Sequence, residues 1–208
     1  MLAGWKNQTT QHITRRMNTM HEYQLLARPD LLTNEWLNSN VRQLMPEGGC
    51  QGPYEANINM PVAGFYAREQ MEETLIRWIQ RICAAQKSFV VAVEDHFNVM
   101  ENTMSVKIKD NTALLQIIRQ LKVIEDFIAS SSCPPPQFAG IHCLEIAVKL
   151  PAVAFKNLVP GLCKKIFQQS FAMHELLLLK RAHVSGSFTT IHVFPFLPQD
   201  VLAGSKIA

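Results

Sequence analysis

The sequence lacks the short signatures of several large enzyme classes. It contains no GxGxxG, no GxxxxGK followed by Ser or Thr, no GxSxG and no HExxH. Dinucleotide binding of the Rossmann type, P-loop nucleotide hydrolysis, serine-hydrolase chemistry and zinc-protease chemistry therefore have no local support. The sequence also lacks a large excess of positive or negative charge, since the net charge is only +3. This value alone favours neither nucleic acid nor an anionic membrane as a partner.

Long apolar runs and paired cysteines are lacking too. No apolar run approaches the roughly 20 residues that a membrane helix needs, and residues 1–19 have no apolar core of the kind found in secretory signals. The five cysteines are odd in number and show no CxxC spacing. We therefore expect free thiols, no zinc site, no membrane association and a cytoplasmic location.

What the sequence does contain is typical of a globular protein. Apolar residues make up 48% of its 208 residues and charged residues 18%, enough for a substantial core. Residues 1–19 are polar and predict a loosely ordered extension. Residues 20–208 predict a single domain, built either as one unit or as two small lobes.

Hydrophobic periodicity predicts alternating strands and helices in the order β-α-β-α-β-β-α-β-α-β-β. The predicted strands are 22–27, 54–62, 88–97, 103–109, the central part of 140–151, 171–182 and 188–196. The predicted helices are 31–44, 67–86, 112–130 and 152–168, the last interrupted near Pro160 and Gly161. This order indicates an α+β fold of two lobes with antiparallel or mixed sheets.

Several stretches are similar to a known family. The segments REQMEETLIRWIQRIC, SFVVAVEDHF, LLQIIRQLKVIEDFI followed by CPPPQ, and SFAMHELLLLKRAH before IHVFPF resemble the 2′-5′ RNA ligase-like branch of the 2H phosphoesterase superfamily. The resemblance covers most of residues 23–198. It implies a bilobal α+β fold with a central groove, and activity on 2′,3′-cyclic phosphates or 2′-5′ linkages without a metal or other cofactor. Each lobe of such proteins supplies one H-x-T or H-x-S motif.

The chemistry of this motif depends on strand geometry. The first and third residues of H-x-T share one face of a strand, so the imidazole and the hydroxyl both point into the groove. Two such strands supply one histidine as general base and another as general acid, while the hydroxyls hold phosphate oxygens.

The second motif is expected on the strand GIHCLEIAVKLP, residues 140–151. One register places Cys143, Leu144 and Glu145 at the three motif positions. A shift by one residue restores a histidine, His142, but places Leu144 where the hydroxyl belongs and turns the strand face over. Neither register supplies both groups, and a carboxylate at Glu145 repels a phosphate unless it is protonated or paired with a cation.

The first motif is expected on the strand before the 67–86 helix. The two candidate registers are Asn57-Ile58-Asn59 and Asn59-Met60-Pro61, and histidine is missing from both. An asparagine amide can hydrogen-bond a phosphate but cannot exchange a proton near neutral pH. The literal HIT at residues 12–14 lies in the polar extension and carries little weight.

Three functions remain open on the sequence. The leading one is a catalytically degenerate protein whose groove, flanked by Asn57, Asn59, Cys143 and Glu145, binds a nucleotide or an RNA end. The first alternative is an active phosphoesterase that uses Glu145, Cys143 or His142 as a substitute group, together with His192.

The second alternative is a protein-interaction module without a small ligand, for which Met60, Tyr54 or Phe65 would fill the groove. His142 and His192 also fit ordinary structural histidines, and Cys143 fits a small buried apolar residue. The sequence alone leaves the oligomeric state open.

Overall fold

A computed structural model describes residues 20–44, 56–100, 103–139, 143–148, 152–167, 169–182 and 186–199. The strands are β1 Met20–Pro29, β2 Ala56–Arg68, β3 Phe89–Met100, β4 Thr103–Ile108, β5 Gln137–Phe138, β6 Cys143–Val148, β7 Ser170–Arg181 and β8 Thr189–Pro195. The helices are α1 Leu31–Leu44, α2 Glu72–Cys83, α3 Thr112–Leu121, α4 Val123–Ser130 and α5 Ala152–Ile166. The predicted extension 1–19 lies outside the described residues.

The strands form an eight-stranded antiparallel sheet whose path closes on itself. Along that path β1 is followed by β2, β6, β4, β3 and β7, and β7 pairs with β1 again. The short strand β5 joins the edge of β2, and β8 forms a hairpin with β7. This arrangement places the first and the seventh strands of the chain side by side.

Two long strands serve both halves of the sheet. The N-terminal residues of β2 pair with β6 and its C-terminal residues pair with β1. In the same way β3 pairs with β7 at its start and with β4 at its end. The two halves are therefore joined through continuous backbone, which fixes their mutual position.

Alternation along the strands separates an apolar face from a polar one. In β1 the side chains of His21, Tyr23, Leu25 and Ala27 are buried, and those between them are half-buried. Helix α2 covers this face in the half that contains β1, where the Tyr23 hydroxyl donates a 2.9 Å hydrogen bond to Glu72 of α2. Helix α3 packs on α2, and α4 packs on α3.

Helices α1 and α5 cover the apolar face of the other half. There the thiol of Cys163 on α5 lies 3.3 Å from the sulfur of Met104 on β4, and both side chains are buried. Helix α1 packs on β2 and on α5. The helix contacts described above all lie on the apolar face of the sheet.

Helix α2 forms within the predicted helix 67–86, but it begins later. Strand β2 instead continues to Arg68, and a short 3-10 turn at Glu69–Met71 precedes the helix. The apolar side chains of Met71, Leu75 and Ile79 are buried. Glu73 and Arg77 form an i,i+4 ion pair at 4.0 Å on the exposed side.

Two other helical predictions need correction. The segment 112–130 is not one helix, because Lys122 separates α3 from α4. The predicted interruption near Pro160 and Gly161 is absent, since α5 continues through both residues. A proline lacks only its own N–H, and the exposed position of Pro160 lets water satisfy the carbonyl that loses its partner.

The α+β class and the antiparallel pairing predicted from the sequence are confirmed. Within the described residues, no helix is long and apolar enough to cross a membrane.

Candidate ligand-binding groove

The two strands expected to carry the motifs lie side by side. Strands β2 and β6 pair antiparallel, with Asn57 opposite Ala147 and Asn59 opposite Glu145. Directly opposed residues share one face of a sheet. Asn59 and Glu145 therefore project to the same side, and Cys143, two residues before Glu145, projects there too.

This face carries a row of polar residues across four strands. Ser105 on β4 is opposite Glu145, and Asn98 on β3 is opposite Ser105. Together with Asn59 and Glu145 they form what we call the polar row. Each of these side chains is half-buried or exposed. The next position along β6 is Cys143, which faces Lys107 on β4.

A pocket with a cavity volume of about 520 Å³ opens beside the polar row. We call it the central pocket. The described residues that line it come from β1, β2, β5 and β6 and the residue after β5, and they are Gln24, Leu26, Asn59, Pro61, Ala63, Gly64, Gln137, Phe138, Ala139 and Glu145. Both ends of the register Asn59-Met60-Pro61 thus line the pocket.

Several ionic groups on this side of the sheet neutralise one another in pairs. Arg28 donates a 2.6 Å hydrogen bond from Nε to Glu175. The Nε of Arg181 donates to Glu22 at 3.0 Å.

A third pair lies closest to the predicted motif strand. Lys107 lies 3.0 Å from Glu94, measured from Nζ to Oε2. Glu145 itself has neither an ion pair nor a hydrogen bond within the part of the chain that the structure describes.

Three neutral side chains of the central pocket are also uncommitted. Within the described ranges, the amides of Gln24, Asn59 and Gln137 make no hydrogen bond to another protein group. With Glu145 they give four polar side chains that converge on one cavity and are available to a ligand. Leu26, Pro61 and Phe138 supply apolar wall between them.

The protonation of Glu145 and Cys143 is shifted by their surroundings. Loss of hydration at the pocket wall raises the pKa of the Glu145 carboxyl above its usual value, although the side chain keeps an exposed part. Burial, followed by the charge of Glu145, raises the pKa of the Cys143 thiol, and Lys107 opposes this shift. Both changes favour the protonated, uncharged forms.

The other residues named from the sequence have different positions. Met60 and Phe65 are buried on the opposite side of β2, so neither fills the groove. His192 on β8 forms a 3.3 Å hydrogen bond with Gln80 of α2, which places it on the helix-covered face. Tyr54 and His142 lie outside the described residues, so the register that restores a histidine at His142 stays a prediction.

A metal-binding cluster does not occur in the described residues, where no three His, Cys, Asp or Glu side chains come close enough to hold an ion. The sequence had not singled out Gln24, Gln137 and Phe138 as site residues. Strand β5 is only two residues long, and the run of prolines before it predicted a plain loop. Only the pairing of β5 with β2 shows that Gln137 and Phe138 reach the pocket.

Comparison with solved structures identifies the class of fold. The chain matches the crystal structure of a phosphoesterase with a TM-score of 0.51 and 11% identity, over 85% of this chain and 98% of the other. It matches E. coli LigT complexed with phosphate with a TM-score of 0.50 and 12% identity, over 86% and 99% of the two chains.

A protein of Thermus thermophilus gives a TM-score of 0.50 at 11% identity, over 86% of this chain and 99% of that one. No family model matches the sequence, and no curated protein gives a significant match. The chain has the fold of the LigT-like 2H phosphoesterases, which confirms at the level of fold the resemblance seen in the sequence.

Proposed function

We propose that this chain is a catalytically degenerate protein with the 2H phosphoesterase fold, whose central pocket binds a nucleotide or an RNA end without converting it. The observation that carries the proposal is the pairing of Asn59 with Glu145 in one pocket. These are positions where the resemblance expects a histidine on one strand and a hydroxyl on the other.

Among the described residues that line it, the pocket contains at most one of the two proton-transfer groups that the reaction needs. An asparagine amide neither accepts nor releases a proton near neutral pH, so Asn59 replaces neither the base nor the acid. Glu145 alone can serve as one of the two groups. Within the described residues that line the central pocket, no second ionisable side chain stands opposite it.

Ligand binding is supported by the four uncommitted polar side chains and by the volume of the cavity. A concave site with a few convergent polar groups and apolar walls is the usual form of a small-molecule site. E. coli LigT has been crystallised with phosphate and with NADP+. By analogy of fold, we infer that the present chain accepts a ligand that contains a nucleoside.

An active enzyme that uses Cys143 and Glu145 is the competing possibility. A cysteine nucleophile must be a thiolate, and the raised pKa of Cys143 favours the thiol instead. His192, the proposed helper, is hydrogen-bonded to α2 on the other face of the sheet. These two facts favour the degenerate protein over the substituted enzyme.

The test is turnover of short RNAs that end in a 2′,3′-cyclic phosphate, without added metal, with products separated by chromatography. We expect no product from the natural chain at high protein concentration. Turnover that is lost in the double variant Cys143→Ala, Glu145→Ala would overturn the proposal and identify an enzyme with substitute groups.

A restored variant serves as the positive control for this assay. It combines Asn59→His and Pro61→Thr on β2 with Cys143→His and Glu145→Thr on β6. These changes place an H-x-T motif on each of the two paired strands. Asn59, Pro61 and Glu145 line the central pocket, and Cys143 is the next position on the same face of β6. Binding of NADP+ and of 3′-AMP to the natural chain is then measured by calorimetry, where the proposal expects saturable heat.

A further inference from the structure

The central pocket differs in charge from a phosphate site. Among its described lining residues, Glu145 is the only ionisable one and it is an acid. A phosphate placed beside Glu145 would meet either a repelling carboxylate or a carboxyl group that has taken up a proton.

Three cations on this face cannot compensate without cost. Arg28 is held by Glu175, Lys107 by Glu94 and Arg181 by Glu22. For any of them to bind a phosphate, an existing ion pair must break and leave an acid without its partner. The charge arrangement therefore disfavours an anionic group inside the pocket.

The hydrogen-bonding groups of the central pocket match the sugar hydroxyls and base edges of a nucleoside. A carboxylate accepts hydrogen bonds through two oxygens, while each amide of Gln24, Asn59 and Gln137 both donates and accepts. Sugar hydroxyls donate to carboxylates, and the edge of a nucleobase presents donors and acceptors side by side. The half-buried ring of Phe138 and the apolar walls at Leu26 and Pro61 suit the flat face of a base.

We propose that the central pocket recognises the nucleoside part of its ligand, with hydroxyl or base N–H groups donating to Glu145 and the base against Phe138, and that the phosphate stays outside the pocket. This inference rests on the proposed function and specifies the ligand chemistry of the same site.

The first test compares each common ribonucleoside with its 3′-monophosphate, and with inorganic phosphate as a competitor, by calorimetry on the full chain. We expect at least one nucleoside to bind as tightly as its 3′-monophosphate or more tightly, and inorganic phosphate to leave this binding unchanged. A monophosphate that binds more than about tenfold more tightly than its nucleoside, or displacement by inorganic phosphate, would overturn the inference.

The second test uses Glu145→Gln, which keeps the shape of the side chain but removes the charge. We expect the affinity for the nucleoside to fall about 10- to 100-fold, because a hydrogen bond to a charged group is lost. The affinity for the monophosphate should fall less, since repulsion is removed at the same time. The ratio of nucleoside affinity to monophosphate affinity should therefore fall. A merely structural role of Glu145 would not change this ratio.

The matched control is Glu73→Gln on the exposed side of α2, where the carboxylate side chain is 86% exposed and does not line the pocket. It should leave both affinities unchanged. Thermal unfolding of both variants establishes that they are folded.

Failure of the inference and failure of the proposed function give different results. If monophosphates bind and nucleosides do not, the inference is wrong and the nucleotide-binding proposal stands. If neither class binds, both are wrong. If the natural chain converts the cyclic phosphate, the proposed loss of catalysis is wrong whatever the affinities are.

Discussion

Glu145 combines two properties that affect the folded chain directly. Its carboxyl lies at the wall of the central pocket without a cation or a hydrogen-bond partner in the described residues, and its pKa is raised by loss of hydration. A raised pKa in the folded state means that folding favours the protonated carboxyl. The stability contributed by protonation is fully present below the usual Glu pKa and is lost as the pH rises through the pKa of the folded state.

We therefore predict that Glu145→Gln raises the free energy of unfolding at pH 8 and leaves it unchanged at pH 4. The gain is at most about 1 kcal/mol because the side chain is partly exposed, which corresponds to a rise in Tm of at most about 2–4 °C. Urea unfolding at the two pH values measures it. Glu73→Gln serves as the control. If Glu145→Gln changed the free energy of unfolding equally at pH 4 and pH 8, the result would contradict the prediction.

The cysteines of the described residues differ in burial. Burial raises the pKa of the Cys83 thiol to about 12, and Cys133 and Cys163 are buried as well. Cys143 is half-buried and faces the groove. Because only the thiolate reacts with alkylating agents, the accessible thiol should be modified first.

We predict that iodoacetamide at pH 8 modifies Cys143 in the folded protein, more slowly than it modifies a free cysteine. Cys83 should react only after denaturation. Peptide mass spectrometry over a time course distinguishes the sites, with Cys143→Ala as the control. Modification of Cys83 and Cys143 at the same rate in native conditions would be inconsistent with the described burial.

At the scale of the secondary-structure element, the beginning of α3 shows how one side chain fixes a helix to the sheet. The side-chain oxygen of Asn111 accepts a 3.0 Å hydrogen bond from the Leu114 backbone N–H, the usual N-cap contact. Its amide nitrogen donates a 2.7 Å hydrogen bond to the carbonyl of Val90 on β3. The residue thus caps α3 and ties it to a neighbouring strand at once.

We predict that Asn111→Ala lowers the free energy of unfolding by about 1–2 kcal/mol, because both contacts are lost. Asn111→Asp keeps the cap but loses the N–H donor to the Val90 carbonyl. Its free energy of unfolding should therefore lie between that of the alanine variant and that of the natural protein. Urea unfolding of the two variants measures both values. An aspartate variant that is as unstable as the alanine variant would contradict this order.

Helices and strands were predicted correctly from the sequence where the apolar periodicity is strong. The prediction failed where the periodicity runs across a break or where the strand is too short to show a period. Helix α1 was predicted with the bounds that the structure has, and the alternation of Met104, Val106 and Ile108 identified β4. The break at Lys122 was missed because the apolar spacing continues across it from α3 into α4. Strand β5 was missed because two residues cannot show a period.

At the scale of the whole molecule, the closed path of strands joins the two halves into one structure. Strands β2 and β3 each pair in both halves. The central pocket also depends on this closure, since its walls come from residues as distant in sequence as Gln24 and Glu145. A local sequence pattern does not show which distant residues come together in the fold. The sequence therefore predicted the strands that carry the motifs but not the other residues that line the pocket.

A shared backbone of this kind should make unfolding cooperative. Trp36 on α1 packs against Phe171 of β7, which pairs with β1, with ring centroids 6.0 Å apart. Trp78 on α2 packs against Phe127 at 5.0 Å in the half that contains β1. Trp36 therefore reports on the junction between the two halves, and Trp78 reports on the half that contains β1.

We predict that the two tryptophans lose their native fluorescence at the same urea concentration. The measurement uses the variants Trp36→Phe and Trp78→Phe, each in a background with Trp5→Phe, so that one indole remains. The urea midpoint of each variant is also measured by circular dichroism. A fluorescence midpoint that differs from the circular dichroism midpoint of the same variant would show that the halves unfold separately.

The pairing of β1 with β7 has a consequence for the chain as it leaves the ribosome. Glu22 and Arg181 face each other in the sheet and form an ion pair although 159 positions separate them. Strand β1 therefore has to wait for nearly the whole chain to be synthesised before it gains this neighbour. During that interval one edge of β1 is open, and contacts of such long range form slowly. The nascent chain should then depend on chaperones until β7 emerges.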